Sequence, residues 1–122
     1  MLTILVVEDE FGAADVLMTA LEDEGYRVVV AANGRQGLER LAEVRPHLIV
    51  SDYMMPIMDG AAMARAVRED PEFRHIPIII ASAVGEAQVR LRFAGFNAFL
   101  RKPFRIDDLL ELVRKLLKGV DA

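Results

Sequence analysis

The sequence predicts a doubly wound α/β sandwich on a five-stranded parallel sheet, and three observations carry that prediction. Short β-branched runs alternate with segments of helical period along the whole chain. Most of those runs are continuous in Val, Ile and Leu instead of alternating with polar residues, the pattern of strands covered on both faces. The chain of 122 residues, 53% hydrophobic and 28% charged, suits one buried core and a single domain over residues 1–122.

Residues 2–7, around Ile4-Leu5-Val6-Val7, form the first predicted strand. A helix follows over 11–24, with Ala13, Leu17, Ala20 and Leu21 on one face and Gly25 as its stop. The second strand covers 27–31 and holds Val28-Val29-Val30. Asn33-Gly34 marks a turn, after which Leu38, Leu41 and Ala42 recur at helical spacing before Pro46. The third strand, 47–51, contains Leu48-Ile49-Val50, and a helix over 61–69 stops ahead of Pro71. The fourth strand, 77–82, contains Ile78-Ile79-Ile80-Ala81. A helix over 86–94 pairs Val89 with Phe93 and ends at Gly95. A weaker strand over 98–101 precedes the clearest helix, 106–118, whose Ile106, Leu109, Leu110, Val113, Leu116 and Leu117 form one stripe up to Gly119. Parallel strands need crossovers of one hand, and five such units suit the strand order 2-1-3-4-5.

Composition narrows the function classes. The absence of cysteine rules out disulfides, thiolate zinc sites and thiol catalysis, and suits a reducing cytoplasm. A net charge of −4 argues against direct nucleic-acid binding or an anionic-membrane surface. No apolar run reaches membrane-spanning length, and Met1-Leu2-Thr3 leads straight into strand-like sequence instead of a signal peptide. The expectation is a cytoplasmic domain without membrane insertion.

In an open parallel sheet, ligands bind beyond the carboxyl ends of the strands, where the strand order reverses. The first run passes into Glu8-Asp9-Glu10, the third into Ser51-Asp52, the fourth into Ser82-Ala83 and the fifth into Arg101-Lys102-Pro103. Asp9, Asp52, Ser82 and Lys102 are therefore expected on one rim. Each has a plain reading alone: acids after strands cap helices, an Asp near Pro and Gly serves a turn, a serine bonds backbone, and a lysine is solvated. Four at successive strand ends make independent accident a poor explanation. Clustered carboxylates raise one another's pKa unless a cation sits among them. Oxygen donors without His or Cys select a hard divalent ion, Mg²⁺ or Mn²⁺. An amine and a hydroxyl facing that ion would receive a tetrahedral anion, and a carboxylate is a competent nucleophile for phosphorus.

On Glu8-Asp9, the run Asp52-Tyr53-Met54-Met55-Pro56-Ile57-Met58-Asp59-Gly60, Ser82-Ala83 and Lys102-Pro103-Phe104, the chain resembles a response-regulator receiver domain, the phosphorylated module of two-component signalling. The resemblance spans essentially the whole chain and implies a flavodoxin-like fold with five helices. It implies Asp52 as the phosphoacceptor, charged from the phosphohistidine of a sensor histidine kinase or from a phosphotransfer protein. Asp9 and Asp52 would ligate Mg²⁺ directly, Met54 through its backbone carbonyl and Glu8 through water, and Mn²⁺ can substitute. Ser82 would bond the phosphoryl oxygens and Lys102 would pair with the acceptor, aimed by a cis bond to Pro103. Phe99 matches an aromatic that switches rotamers, altering the surface of the fourth helix, fifth strand and last helix that controls a partner protein. Glu8 stands where Asp is commoner, Ser82 where Thr is, and Phe99 where Tyr is, which leaves any switching at Phe99 to packing. Gln88, Arg90, Arg92 and Arg101 are expected around that face, as a solvated helix surface or a contact for an acidic partner.

Three other classes fit less well. Aspartate-based phosphatases place a second Asp two residues after the nucleophile, where this chain has Met54. A flavin binder needs small and hydroxyl residues after the first strand, where Glu8-Asp9-Glu10 would repel phosphate. A receiver-like scaffold that signals without phosphorylation has no use for the intact acids, hydroxyl and lysine. The resemblance thus implies no enzyme beyond its own phosphorylation and dephosphorylation, and a monomer or weak dimer. The sequence ends soon after the last predicted helix, which favours a single-domain regulator over a piece of a longer protein.

Overall fold

The structure, a computed structural model, describes residues 1–121. Strands and helices alternate: β1 (Thr3–Val7), α1 (Phe11–Asp23), β2 (Arg27–Ala31), α2 (Gly34–Val44), β3 (Leu48–Asp52), α3 (Gly60–Glu69), β4 (Ile78–Ser82), α4 (Glu86–Arg92), β5 (Ala98–Arg101) and α5 (Ile106–Leu116). The strands are all parallel and stand in the order β2-β1-β3-β4-β5, as the unit length predicts.

Side chains on successive strand positions point to opposite faces, and the apolar runs use both. Leu5, Val7, Ile49, Ile78 and Ile80 pack with Leu41, Met63, Val67 and Val89 of α2, α3 and α4. Ile4, Val6, Val50 and Ile79 pack with Leu17, Leu21, Leu109 and Val113 of α1 and α5. β1 and β4 are buried at every position. β2 departs from the prediction: its run Val28-Val29-Val30 is only partly buried, because it is an edge strand.

Local chemistry sets the helix ends. Asn33 caps α2, its side chain accepting from the Gln36 N–H at 2.9 Å, and Asp59 caps α3 through the Ala62 N–H at 2.9 Å,. On α1 the buried stripe is Ala14, Leu17 and Leu21, displaced slightly from the predicted one. α4 is shorter than predicted. It ends at Arg92 because Phe93 is already extended, its ring turned towards Phe96 at 6.4 Å between centroids. α5 ends before Leu117, and Gly119 turns the chain at φ +80°. Arg68 of α3 fastens two loops at the far end of the sheet, donating to the carbonyls of Gly95 (2.9 Å), Arg74 (3.0 Å) and Ile76 (2.7 Å) and to Asn97 Oδ1 (2.8 Å).

Candidate functional site

Strand register brings the predicted residues together. Val7 lies beside Ser51, Asp52 beside Ala81, and Ser82 beside Arg101. Asp52 and Ser82 are the last residues of β3 and β4, and Glu8 and Lys102 the first beyond β1 and β5, so all four stand at the carboxyl ends of the strands. Carboxylate oxygens of Glu8, Asp9 and Asp52 lie within 4.8 Å of one another. Glu8 is only 6% exposed, its Oε2 held by the Glu10 N–H at 3.2 Å, whereas Asp9 faces solvent. Contrary to the plain reading, neither acid caps α1, whose cap residue is Glu10.

Lys102 closes the cluster from β5, with its Nζ 2.9 Å from Asp52 Oδ1 and 3.3 Å from Glu8 Oε1. The bond to Pro103 is cis, and the Lys102 N–H donates to the Ser82 carbonyl at 2.8 Å. Burial holds the Glu8 carboxyl above the ordinary glutamate range, reinforced by the Asp52 charge and opposed by the Glu10 N–H and Lys102,. Burial also works against the Lys102 charge. Its hydrogen bonds and charge contacts with Asp52 and Glu8 prevail, and its pKa lies above the usual lysine value.

Ser82 is 1% exposed, and its Oγ accepts from the Val84 N–H at 3.0 Å, so the plain reading of a backbone-bonded serine also describes it. Phe99 is partly buried against the core, its ring 5.9 Å from that of Phe96. The Met54 side chain is exposed, on the second residue beyond Asp52. The expected basic face is less free than the sequence implies. Arg90 pairs with Glu86 at 2.7 Å and lies 4.5 Å from the Phe96 ring centroid, Arg92 pairs with Asp59 at 2.7 Å, and Arg101 donates to the Ala83 carbonyl at 2.9 Å.

Three features of the loop after Asp52 were not legible beforehand. Asp59 both caps α3 and pairs with Arg92, and no sequence signal marks a partner 33 positions away. Burial pushes its carboxyl up, but the Ala62 N–H and Arg92 outweigh that and leave it below the ordinary aspartate range. The Tyr53 N–H donates to Asp52 Oδ1 at 3.0 Å and so fixes one carboxylate oxygen. Ile57 has φ +70° while 76% exposed, a left-handed conformation that a β-branched residue adopts only under strain. Ile57→Gly is therefore expected to raise unfolding free energy by about 1 kcal/mol, read from urea denaturation midpoints.

A parallel sandwich whose strand ends gather acids, a hydroxyl and a lysine defines a carboxylate-centred α/β module. The family model of the response regulator receiver domain matches residues 4–114, and the chain belongs to that family as a receiver domain of a two-component response regulator. It is 37% identical over 124 residues to the response regulator Rre1 of Synechocystis, covering 99% of this chain and 54% of that protein. The chain thus spans about half the length of that relative. The signal receiver domain of a signal transduction histidine kinase from Syntrophus aciditrophicus superposes with a TM-score of 0.92 at 36% identity, over 99% of this chain and 93% of that one. The response regulator TrrA from Thermotoga maritima, solved in complex with Mg²⁺ and BeF, gives 0.87 at 31% identity, over 96% of this chain and all of that one (100%).

Proposed function

We propose that Asp52 accepts a phosphoryl group from the phosphohistidine of a sensor histidine kinase or phosphotransfer protein, and that the whole chain, residues 1–122, is the receiver that does so in the cytoplasm. The observation that carries this reading is Lys102 Nζ at 2.9 Å from Asp52 Oδ1, inside a triad of carboxylates. An Asp52 oxygen attacks phosphorus as the bond from phosphorus to the donor nitrogen breaks, its electron pair leaving with the imidazole. The product is an acyl phosphate, and its hydrolysis returns the carboxylate and inorganic phosphate. Lys102 offsets charge on the transferring oxygens, and the Tyr53 N–H keeps Asp52 oriented,.

The donor set fits a hard divalent cation, since three carboxylates come within reach of one point and no nitrogen or sulfur ligand is among them,. Asp9, Asp52 and the Met54 backbone carbonyl would hold Mg²⁺, with Glu8 acting through water, and Mn²⁺ would serve in its place. When bound, such an ion neutralises the carboxylates and the phosphoryl oxygens. The chain's part beyond its own phosphorylation and dephosphorylation is that of a switch. Ser82 leaves the Val84 N–H for a phosphoryl oxygen, Phe99 turns into the space vacated, and the α4-β5-α5 surface changes for a downstream protein partner. The monomer or a weak dimer is the acting form, with neither nucleic acid nor membrane touched directly.

Incubation with acetyl phosphate and Mg²⁺ should add one phosphoryl mass to the intact protein. EDTA and Asp52→Asn should each abolish it. Retention of the added mass in folded Asp52→Asn protein would refute the assignment, and rapid turnover of a generic phosphate ester would favour a phosphatase instead.

A further inference from the structure

We propose that Arg92 is a positioning residue for phosphorylation, which holds α4 in its resting place by gripping the loop that follows the acceptor. The inference rests on the reading of Asp52 just given. α4 stops at Arg92, and from that last turn the guanidinium crosses to the end of the neighbouring strand β3. Its Nη1 donates to Asp59 Oδ2 at 2.7 Å and to the Tyr53 hydroxyl at 3.3 Å, while its carbon lies 5.7 Å from the Tyr53 ring centroid. The Arg92 carbonyl in turn accepts from Arg65 of α3. One residue thereby ties the end of α4 to the cap of α3 and to the residue next to the acceptor.

The grip lies on the path the switch must take. Ser82 Oγ is engaged by the Val84 N–H, and Gly85 is already the cap residue of α4. A serine that turns towards a phosphoryl oxygen therefore draws the first turn of α4 with it. At its other end, α4 can follow only by stretching or breaking the bonds of Arg92. Tyr53 receives the same event from the acceptor side, because its N–H bonds the Asp52 carboxylate at Oδ1. Neighbouring arginines make other contacts: Arg90 pairs with Glu86 and covers the Phe96 ring, and Arg101 donates to the Ala83 carbonyl, so the bonds from α4 to Asp59 and Tyr53 are those of Arg92. Loosening the grip shifts the resting equilibrium towards the conformation that takes phosphate. Arg92 is well exposed, at 46% of its side chain, so the shift is a few-fold in size.

Acetyl phosphate with Mg²⁺ supplies the probe. Arg92→Gln should phosphorylate about three times faster than the parent chain. Asp59→Asn, which keeps an oxygen to cap α3 but loses the charge, should do the same, and the double variant should be no faster than either. Arg92→Lys should recover part of the slower parent rate. In the unphosphorylated proteins, amide hydrogen exchange from Val89 to Phe93 should quicken in Arg92→Gln and Asp59→Asn. An unchanged or slower rate in folded Arg92→Gln overturns the proposal, as do fully additive effects in the double variant. A parent chain that takes no phosphoryl group defeats the function proposed above, and exchange then decides on Arg92 alone: unaltered protection of α4 in both variants overturns its role.

Discussion

Gly60→Ala is expected to destabilise the protein by about 3 kcal/mol or more, read as the shift in urea unfolding, and to cripple phosphorylation in whatever fraction stays folded. A methyl at this position would sit 2.2 Å from the Asp52 carbonyl oxygen and 3.2 Å from Ser51 Oγ. Both obstacles are fixed. The Asp52 carbonyl already accepts from Ser51 Oγ at 2.9 Å, and the Gly60 N–H donates to the Tyr53 carbonyl at 2.8 Å. Relief must come from displacing the backbone of Asp52 itself, and with it the carboxylate that meets Lys102. Gly12 supplies the contrast. A methyl there would meet only Glu10 Oε1 at 3.8 Å, so Gly12→Ala should gain about 0.5 kcal/mol from helix propensity. Equal effects at the two positions would mean that the Asp52 backbone yields to a methyl at Gly60 without cost.

What the sequence makes legible is whatever depends on neighbours along the chain. Continuous apolar runs at β1, β3 and β4 give strands buried on both faces, and the polar residues that follow them must then emerge at one edge. Asp9, Asp52 and Lys102 were readable for that reason, since strand order sets the ends of β1, β3, β4 and β5 along one rim. Contacts decided by side-chain reach between distant segments were not readable. Arg92 looked like one of several arginines on an open helix face, and nothing in its surroundings in sequence points to Asp59 or Tyr53. The early end of α4 has a different origin: no proline stops it, and the extended backbone at Phe93, with its ring towards Phe96 three residues on, is a local choice that helical spacing does not signal. β2 misled in the opposite sense, since three consecutive valines read as fully covered and an edge position leaves them half open.

Lys102→Ala is expected to move two measurements in opposite directions. In the present structure its ammonium lies against Asp52 and Glu8, two of the three carboxylates that offer themselves to a cation. A lysine so placed competes with any divalent ion for the same negative charge and repels it at close range. Its side chain is one-third exposed (33%), so solvent screening reduces the repulsion well below the value for a dry site. The variant should bind Mg²⁺ about five-fold more tightly by calorimetric titration at neutral pH. Phosphorylation by acetyl phosphate should nevertheless slow by about ten-fold or more, because the positive charge that meets the transferring phosphoryl oxygens has gone. Loss of a purely structural ion pair would weaken both properties together through a less ordered site. Lys118→Ala, at an exposed lysine beyond the end of α5 that is not among the residues of this cluster, should alter neither. Weaker Mg²⁺ binding in a folded Lys102→Ala protein would therefore place the lysine among the supports of the metal site instead of opposite it, and would remove the argument that its charge is held in reserve for the phosphoryl group.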